Sequence, residues 1–202
     1  MNEHTQIVLF FPQRNIYDPT RFSNALLEVF PELGQPVILP FNIGPAQEDN
    51  NIPVAIFNQS GDIQLTLTFN NIVFTLFNDN RRKSSEILNK FFSINEKFNL
   101  IFSRIGYVNN VLMPASEVEA FKKEKFKDEE IIQSEEFQLA WFNKIVIDNV
   151  KVNYWQRFGT NKSLTKDVFV TYDFNTLVEE KLNVDYAFAT HFINSVDSIL
   201  DI

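Results

Sequence analysis

The chain contains no cysteine, and of its 202 residues only 5 are glycine and 2 are methionine. Without cysteine there is no disulfide, no thiolate metal site and no cysteine nucleophile. No Walker, dinucleotide-binding or Gly-x-Ser-x-Gly pattern occurs, so the sequence signatures of the common phosphate loops and of the serine-hydrolase elbow are absent as well. These absences exclude several classes of enzyme, and the lack of cysteine is compatible with a reducing cytosol.

The sequence also has no long apolar run. A helix that crosses a bilayer needs roughly 18 or more apolar residues, and no stretch approaches that length. The first apolar run, Ile7 to Phe11, is too short for a signal peptide, and no basic leader precedes it. We therefore expect a cytoplasmic protein with no membrane partner.

Positive charge is scarce in this chain. There are 18 basic residues against 26 acidic ones, a formal net charge of −8. Tight binding to a phosphate backbone usually depends on a basic field that releases counterions. The compact basic cluster of the sequence is Arg81-Arg82-Lys83. The charge balance predicts no nucleic-acid partner and suits a basic protein partner.

Phenylalanine is abundant, with 22 residues, and the hydrophobic fraction is 45%. Such a composition argues for a packed core and against disorder. At this length we expect a single α+β domain over residues 1–202. Two sub-lobes, residues 1–114 and 115–202, are the competing arrangement.

The strongest structural signal lies between Ile63 and Phe77. Apolar and polar residues alternate on both sides of Asn70-Asn71, which is typical of two strands around a type I′ turn. A two-residue loop at Asn70-Asn71 pairs Leu67 with Phe74 on one apolar face. The pattern therefore predicts a β-hairpin with a defined register.

A third strand, Val54 to Asn58, precedes this hairpin. A Ser60-Gly61 turn places Ile56 beside Leu65, on the face already assigned to the core. The opposite face of the three strands is too apolar to be only a solvated surface, because it includes Phe57, Val73 and Phe77. We expect either the second half of the chain or a partner to cover it.

Helix and strand signals continue through the rest of the chain. Two helices are predicted with an aspartate cap, Pro19–Phe30 after Asp18 and Tyr186–Leu200 after Asp185. Two more are predicted with serine caps, one from Ser84 or Ser85 to Phe98 and one over Ser116–Lys127 with a Ser116-x-x-Glu119 capping box. A fifth is predicted from Ser134, with Phe137 and Trp141 on one face. Strands are predicted over residues 7–11, 37–39, 102–113, 144–158 and 167–174. The predicted strand over residues 144–158 is interrupted at Asp148-Asn149, by either a bulge or a tight turn. The fold class is α+β: a mainly antiparallel sheet with an N-terminal β-α-β-β-β-α-β unit, flanking helices and a C-terminal hairpin plus helix.

Residues 104–110, Arg-Ile-Gly-Tyr-Val-Asn-Asn, form the most distinctive polar run. On a strand, Arg104 and Gly106 share one face, while Tyr107 and Asn109 share the other with Ile105. A glycine inside a strand often marks a bulge or a close backbone approach. The run therefore indicates either a ligand site that uses Arg104, Tyr107 and Asn109 or a feature of a sheet edge.

The Arg-x-Gly-x-x-x-Asn run, which follows a helix that ends in aromatics, resembles a sporadically distributed family of uncharacterised bacterial proteins. The tail adds to the resemblance, since a hydrophobic strand that contains Asp173 precedes a helix that contains His191. A second arginine after the glycine, present in that family, is replaced here by Tyr107 and Val108. The resemblance implies an α+β fold and a bacterial or mobile-element setting, and it places Asp173 and His191 among the binding candidates.

Carboxylates on strands are the other candidate chemistry. Asp167 and Asp173 bracket one predicted strand and Asp148 lies in the preceding one, so the three side chains are a candidate magnesium or acid–base site. Strand-end aspartates also cap turns, which is the structural alternative. The histidines are His4 and His191, too few for an evident metal site, and we expect no cofactor and no metal.

The function that this sequence favours is a non-enzymatic protein-interaction module. The role is that of an inhibitor, an immunity-like protein or an accessory protein of a bacterium or mobile element. The alternative is a small metal-dependent or nucleotide-binding enzyme that uses the strand-end aspartates. A third reading is self-association into a homo-oligomer through an exposed sheet edge.

Overall fold

The computed structural model describes residues 3–13, 18–39, 53–57, 61–77, 83–126, 137–160 and 168–200. Over these ranges the chain forms nine strands and four α-helices. The strands are β1 (His4–Phe10), β2 (Val37–Ile38), β3 (Ala55–Phe57), β4 (Ile63–Leu67), β5 (Asn71–Phe77), β6 (Arg104–Met113), β7 (Gln138–Ile147), β8 (Val150–Thr160) and β9 (Val168–Thr176). The helices are α1 (Pro19–Val29), α2 (Ser84–Phe98), α3 (Ala115–Lys125) and α4 (Tyr186–Ile199). Short 3-10 turns cover Pro31–Leu33 and Val178–Glu180.

All nine strands belong to one sheet, in the order β2-β3-β4-β5-β1-β6-β9-β8-β7. Every pair of neighbouring strands is antiparallel. The predicted α+β class with a mainly antiparallel sheet is confirmed. The pairing of β6 with β9 joins residues 1–114 and residues 115–202 in the same sheet.

Two helices start where their caps predict. The Asp18 Oδ1 atom accepts hydrogen bonds from the backbone N–H groups of Thr20 (2.9 Å) and Arg21 (3.1 Å), and Pro19 follows at the first helical position. Asp185 Oδ1 accepts from the N–H of Phe188 at 2.8 Å. Both carboxylates satisfy N–H groups that have no partner inside the helix, so these two starts are determined by local sequence.

The serine caps predicted for two other helices are wrong, although one of these helices, α2, covers Ser84–Phe98 as predicted. Helix α2 begins at Ser84, with Lys83 before it and no side-chain cap, and the Ser84 side chain is buried. Helix α3 begins at Ala115 after Pro114, so Ser116 is already helical and Ser116-x-x-Glu119 is not a capping box. Pro114 has an extended backbone (φ −60°, ψ 145°), and its carbonyl oxygen accepts a hydrogen bond from the N–H of Glu117 at 2.9 Å, so the helix begins before Ser116.

The helix predicted from Ser134 is wrong in its described part, because Gln138–Ile147 is the long strand β7. The prediction was based on Phe137 and Trp141, which are four residues apart. Such a spacing puts two side chains on the same side of a helix and equally on the same face of a strand. The two rings pack in the same apolar cluster in the strand as well.

The hairpin of β4 and β5 exists, but its register differs from the prediction. Leu67 pairs with Ile72 rather than with Phe74. The Thr68 hydroxyl oxygen accepts hydrogen bonds from the N–H groups of Asn70 (3.0 Å) and Asn71 (2.9 Å). The turn is therefore closed around Phe69-Asn70, which shifts the pairing by two residues and keeps every side chain on its predicted face.

The third strand of the meander is also shifted. Phe57, not Ile56, lies opposite Leu65, and Ile56 lies opposite Thr66. A shift of one residue reverses the faces of a strand, so Phe57 is fully buried and Ile56 points away from the core. The larger ring thus takes the buried position.

Asp148-Asn149 is a tight turn and not a bulge. Ile147 pairs directly with Val150, which leaves a two-residue loop between β7 and β8. The φ angles of Asp148 and Asn149 are +51° and +67°, as a type I′ hairpin turn requires. This turn has the geometry that the sequence suggested for Asn70-Asn71, where no positive φ occurs.

The helices pack on one face of the sheet, called here the helix face. Its main core includes the rings of Phe22, Phe74 and Phe102 around Phe91, with ring centroids 5.1–6.3 Å from that of Phe91. A smaller core lies under α3, where Phe121 stacks on Phe158 at 4.5 Å. Tyr172 contacts both cores, so they form neighbouring parts of one apolar layer.

Phe91→Ala tests the main core. Phe91 is fully buried among other rings, so its removal leaves a cavity, and we expect the free energy of unfolding to fall by about 3–5 kcal/mol. Phe142→Ala is the matched control, because the Phe142 ring is 43% exposed and its loss is expected to cost about 1 kcal/mol or less. Urea unfolding of the two variants measures both values. Equal losses would contradict the assignment of Phe91 to the core.

Candidate functional site

The second face of the sheet, called here the open face, points away from all four helices. Its apolar side chains belong to neither core cluster, although those of the helix face do. On β6 to β9 the residues of this face are Arg104, Gly106, Val108, Asn110 and Leu112, then Gln138, Ala140, Phe142, Lys144 and Val146, then Lys151, Asn153, Trp155, Arg157 and Gly159, and finally Phe169, Thr171, Asp173 and Asn175. The open face therefore has none of the described helices packed on it.

The charges of the open face oppose the net charge of the chain. Its basic side chains are Arg104, Lys144, Lys151 and Arg157, and its acidic side chain among the described strands is Asp173. The chain as a whole carries −8. On the described strands this half of the open face is therefore locally basic, with four cationic side chains and one carboxylate.

Asp173 lies near the middle of this basic half. Its Oδ2 atom is 3.3 Å from Arg157 Nη2, and its Oδ1 atom accepts a hydrogen bond from Asn175 Nδ2. Burial removes water from the carboxylate and raises the pKa of Asp173, while Arg157 and the Asn175 hydrogen bond lower that pKa by less. The contacts with Arg157 and Asn175 thus compensate only in part for the burial of the Asp173 carboxylate.

Gly106 makes room for the amide of Asn175. A Cβ atom at Gly106 would overlap Asn175 Oδ1 and lie 3.4 Å from the ring of Phe10. Any side chain here would therefore displace the group that holds Asp173. The glycine that the sequence singled out is explained by this close approach.

Arg104 is held at the end of the same face. Its guanidinium lies 4.6 Å from the centroid of the Phe10 ring, and its Nε–H donates to the carbonyl oxygen of Thr176 at 3.0 Å. Desolvation lowers the pKa of Arg104, and Glu179 partly offsets this effect. Arginine stays charged under such conditions, so it remains a fixed cation on the open face.

Aromatic rings lie beside these cations. The rings of Phe142 and Trp155 are 4.7 Å apart, and the Arg157 guanidinium lies 5.4 Å from the Trp155 ring. Next to them a depression with a volume of about 370 Å³ has Gly159 and Ala140 at its base. Its other lining residues are Gln138, Leu139, Arg157, Phe158, Phe169 and Thr171.

The structure does not bring the five predicted binding residues together. Arg104 and Asp173 lie on the open face, as the alternation along their strands predicts. Tyr107 is fully buried on the helix face, where its hydroxyl donates to Asp197 Oδ1 on α4 at 2.6 Å. Asn109 is also buried there and accepts a hydrogen bond from the Thr5 hydroxyl at 3.1 Å.

The fifth predicted residue, His191, lies on the outside of α4 with 66% of its side chain exposed. Its Nε2 atom is 2.9 Å from Asp148 Oδ2, and the Ser195 hydroxyl donates to that same oxygen at 2.9 Å. Histidine and serine therefore bind one carboxylate oxygen and do not form a relay. The contact joins α4 to the β7–β8 turn.

Of the three aspartates in the enzyme hypothesis, the two that the structure describes, Asp148 and Asp173, are far apart. Asp148 belongs to the turn before β8, whereas Asp173 lies opposite Trp155, about 20 Å further along that strand at roughly 3.3 Å per residue. Asp167 lies outside the described residues. Among those that are described, no three His, Asp or Glu side chains are grouped for a metal ion.

Sequence reasoning missed Lys144, Lys151, Trp155 and Arg157. A signal was present, because Lys151, Asn153, Trp155 and Arg157 follow each other at every second position, the spacing of one strand face.

No protein-family model matches the chain, and a search of curated proteins found no similar sequence. The resemblance to uncharacterised bacterial proteins therefore stays a prediction. Within the described part of the chain no helix is both long enough and apolar enough to cross a membrane.

Asp173→Asn tests the partly compensated carboxylate. A pKa that is higher in the folded state than in the unfolded state stabilises the protein below the ordinary value of 3.8, and this stabilisation is lost as the pH rises through the raised value. We therefore expect the free energy of unfolding of the wild type to increase relative to that of the variant as the pH falls through this window. Urea unfolding followed by tryptophan fluorescence at a series of pH values measures the difference. Parallel curves for the two proteins would refute the raised pKa of Asp173.

Proposed function

We propose that this chain is a non-enzymatic, cytoplasmic protein-interaction module that binds an acidic surface of a partner protein through its open face. The observation that carries the proposal is the local excess of basic charge on the open face in a chain whose net charge is −8. The module acts as an inhibitor, an immunity-like protein or an accessory protein by occluding its partner. The setting, a bacterium or a mobile element, is based on the sequence resemblance.

Charge segregation supports this assignment. Complementary charge increases the rate at which two proteins meet and selects against partners of the wrong sign. The net charge alone suits a basic partner, but the charge of the open face is positive and suits an acidic one. An acidic partner would meet Lys144, Lys151 and Arg157 on the open face and be repelled by the rest of the molecule, so its orientation would be defined.

Side-chain types support it as well. The residues that contribute most binding energy at protein interfaces are enriched in tryptophan, tyrosine and arginine. Trp155 and Arg157 form a pair of these residue types, and Phe142 extends the apolar area beside it. The rings are held by a sheet and lose little conformational entropy on binding.

The net charge favours a protein over a nucleic acid as the partner. A nucleic acid presents a long field of phosphates, and the whole molecule, at −8, repels it. A protein presents its acidic residues locally, and the open face matches that scale. The alternative of a small enzyme has less support, because Asp148 and Asp173 are far apart.

Charge reversal tests the proposal. Lys144→Glu together with Lys151→Glu reverses two open-face cations, and Lys123→Glu together with Lys125→Glu on α3 is the matched control with the same net charge. We expect the open-face variant to bind the partner at least about tenfold more weakly, because two attractions become repulsions, and the control to bind within about twofold of the wild type.

The partner is isolated by affinity capture on the wild-type protein from a nuclease-treated lysate of the native host, and its affinity for each variant is then measured by calorimetry. Equal weakening in both variants, or none in either, would refute a role for the open face. Binding of a single-stranded oligonucleotide that the open-face variant loses would overturn the assignment to a protein partner.

A further inference from the structure

Strand β7 is the long edge of the sheet. It has ten residues and, among the strands described here, it pairs only with β8. The edge at the other end of the sheet is β2, which has two residues. An edge strand presents unpaired N–H and C=O groups, and its length decides how many a further strand can use. A further strand therefore finds its longest template at β7.

The turn next to β7 determines which residues offer these groups. In a two-residue hairpin the closing pair exchanges both backbone hydrogen bonds, so Ile147 and every second residue before it bind β8. The residues between them direct their N–H and C=O groups outward. These are Gln138, Ala140, Phe142, Lys144 and Val146, and all five side chains lie on the open face.

The depression at Gly159 adjoins the same edge. Gln138 and Ala140 of β7 form its outer side, and Phe169, Thr171 and Arg157 surround the remainder. Because Ala140 and Gly159 are small, an aromatic side chain from a strand outside β7 would lean over Ala140 towards Gly159 on β8. The depression is apolar at Phe169, and the Arg157 cation also lines it.

We propose that an extended acidic segment of the partner adds to β7 as an antiparallel tenth strand and places an aromatic side chain in the depression at Gly159. Backbone hydrogen bonds along the edge supply affinity in this mode, and pockets for alternate side chains supply specificity. The inference rests on the proposed function, because it takes the acidic partner from there and specifies how that partner binds.

The register of β7 defines a spacing in the segment. Ala140 and Lys144 are four residues apart and share a face, so the residues opposite them in an added strand are four apart as well. In an antiparallel strand the residue that faces Lys144 comes first. The segment is therefore a glutamate or aspartate followed, four positions later, by an aromatic residue.

Charge favours this segment over a second copy of the chain as the occupant. The charged residue of β7 is Lys144, so two copies of β7 would pair without a carboxylate against either lysine. The added acidic strand supplies that carboxylate.

The test uses synthetic peptides of about eight residues, the length of an ordinary strand. One threonine-rich peptide has a glutamate four positions before a phenylalanine. A control peptide of the same composition has the phenylalanine moved by one position, which turns its ring to the opposite face. Two-dimensional NMR of the full labelled chain records the amide shifts of Gly159 and of β7. We expect saturable shifts with the first peptide and at least about tenfold weaker binding of the control.

Gly159 offers a graded pair of variants. A Cβ atom there would lie 3.7 Å from Gln138 Cγ and 3.9 Å from the Phe137 carbonyl oxygen, which are ordinary contacts, so Gly159→Ala is expected to fold normally. Gly159→Leu fills the depression, and we expect it to weaken binding of the first peptide at least about tenfold. The affinity of Gly159→Ala for this peptide is expected to lie between those of Gly159→Leu and the wild type. Equal affinity of both peptides, or of all three proteins for the first peptide, would overturn the inference.

The experiment separates this inference from the proposed function. If charge reversal on the open face abolishes partner binding but neither peptide binds, the open face is the interface and strand addition is wrong. If light scattering shows a dimer that Gly159→Leu or Lys144→Glu converts to a monomer, a second copy occupies β7 and the inference is overturned. Binding of the first peptide without any effect of charge reversal on the partner would refute the proposed function alone.

Discussion

The fold depends on the position of β6 between β1 and β9. Through these two ladders the strand connects the meander of the first half with the three long strands of the second half. Tyr107, in the middle of β6, lies between Ile7 and Phe174 and is fully buried. Its hydroxyl reaches Asp197 on α4, so one residue ties both halves of the sheet to the last helix. A buried tyrosine needs such a partner, which gives the contact a defined geometry.

The two faces of β6 have different roles, since one belongs to the buried core and the other to the candidate binding surface. Tyr107 and Asn109 belong to the buried layer, and Arg104 and Gly106 belong to the open face. The alternation of a strand determines this division, and it could be predicted from the sequence alone. The caps Asp18 and Asp185 were predictable for a similar reason, since a cap uses atoms only two or three residues away. Local rules thus predicted the layers and the helix starts that depend on nearby groups.

Features that depend on competing local alternatives were not predictable. Asn70-Asn71 is a good turn by residue type, yet the Thr68 hydroxyl binds two N–H groups and moves the turn by one residue. The segment around Phe137 and Trp141 fits a helix and a strand equally well. Contacts between distant segments were also beyond the sequence: His191 meets Asp148, and Arg157 meets Asp173, only because the sheet brings them together. Of the five predicted binding residues, Arg104 and Asp173 lie on the open face, and their role in binding stays a prediction.

The place of β1 has a consequence for the order of assembly. This strand lies between β5 and β6, although α1 and three other strands separate it from β5 along the chain. Neither of its ladders forms before those distant segments are made, and closing such long loops costs entropy before any contact compensates for it. During synthesis, β1 thus leaves the ribosome with both edges unpaired, and its first ladder forms only after β5 has been made. A sheet organised in this way belongs to the slowly folding, high-contact-order class, and Lys or Pro residues that would protect a waiting strand are absent from His4–Phe10.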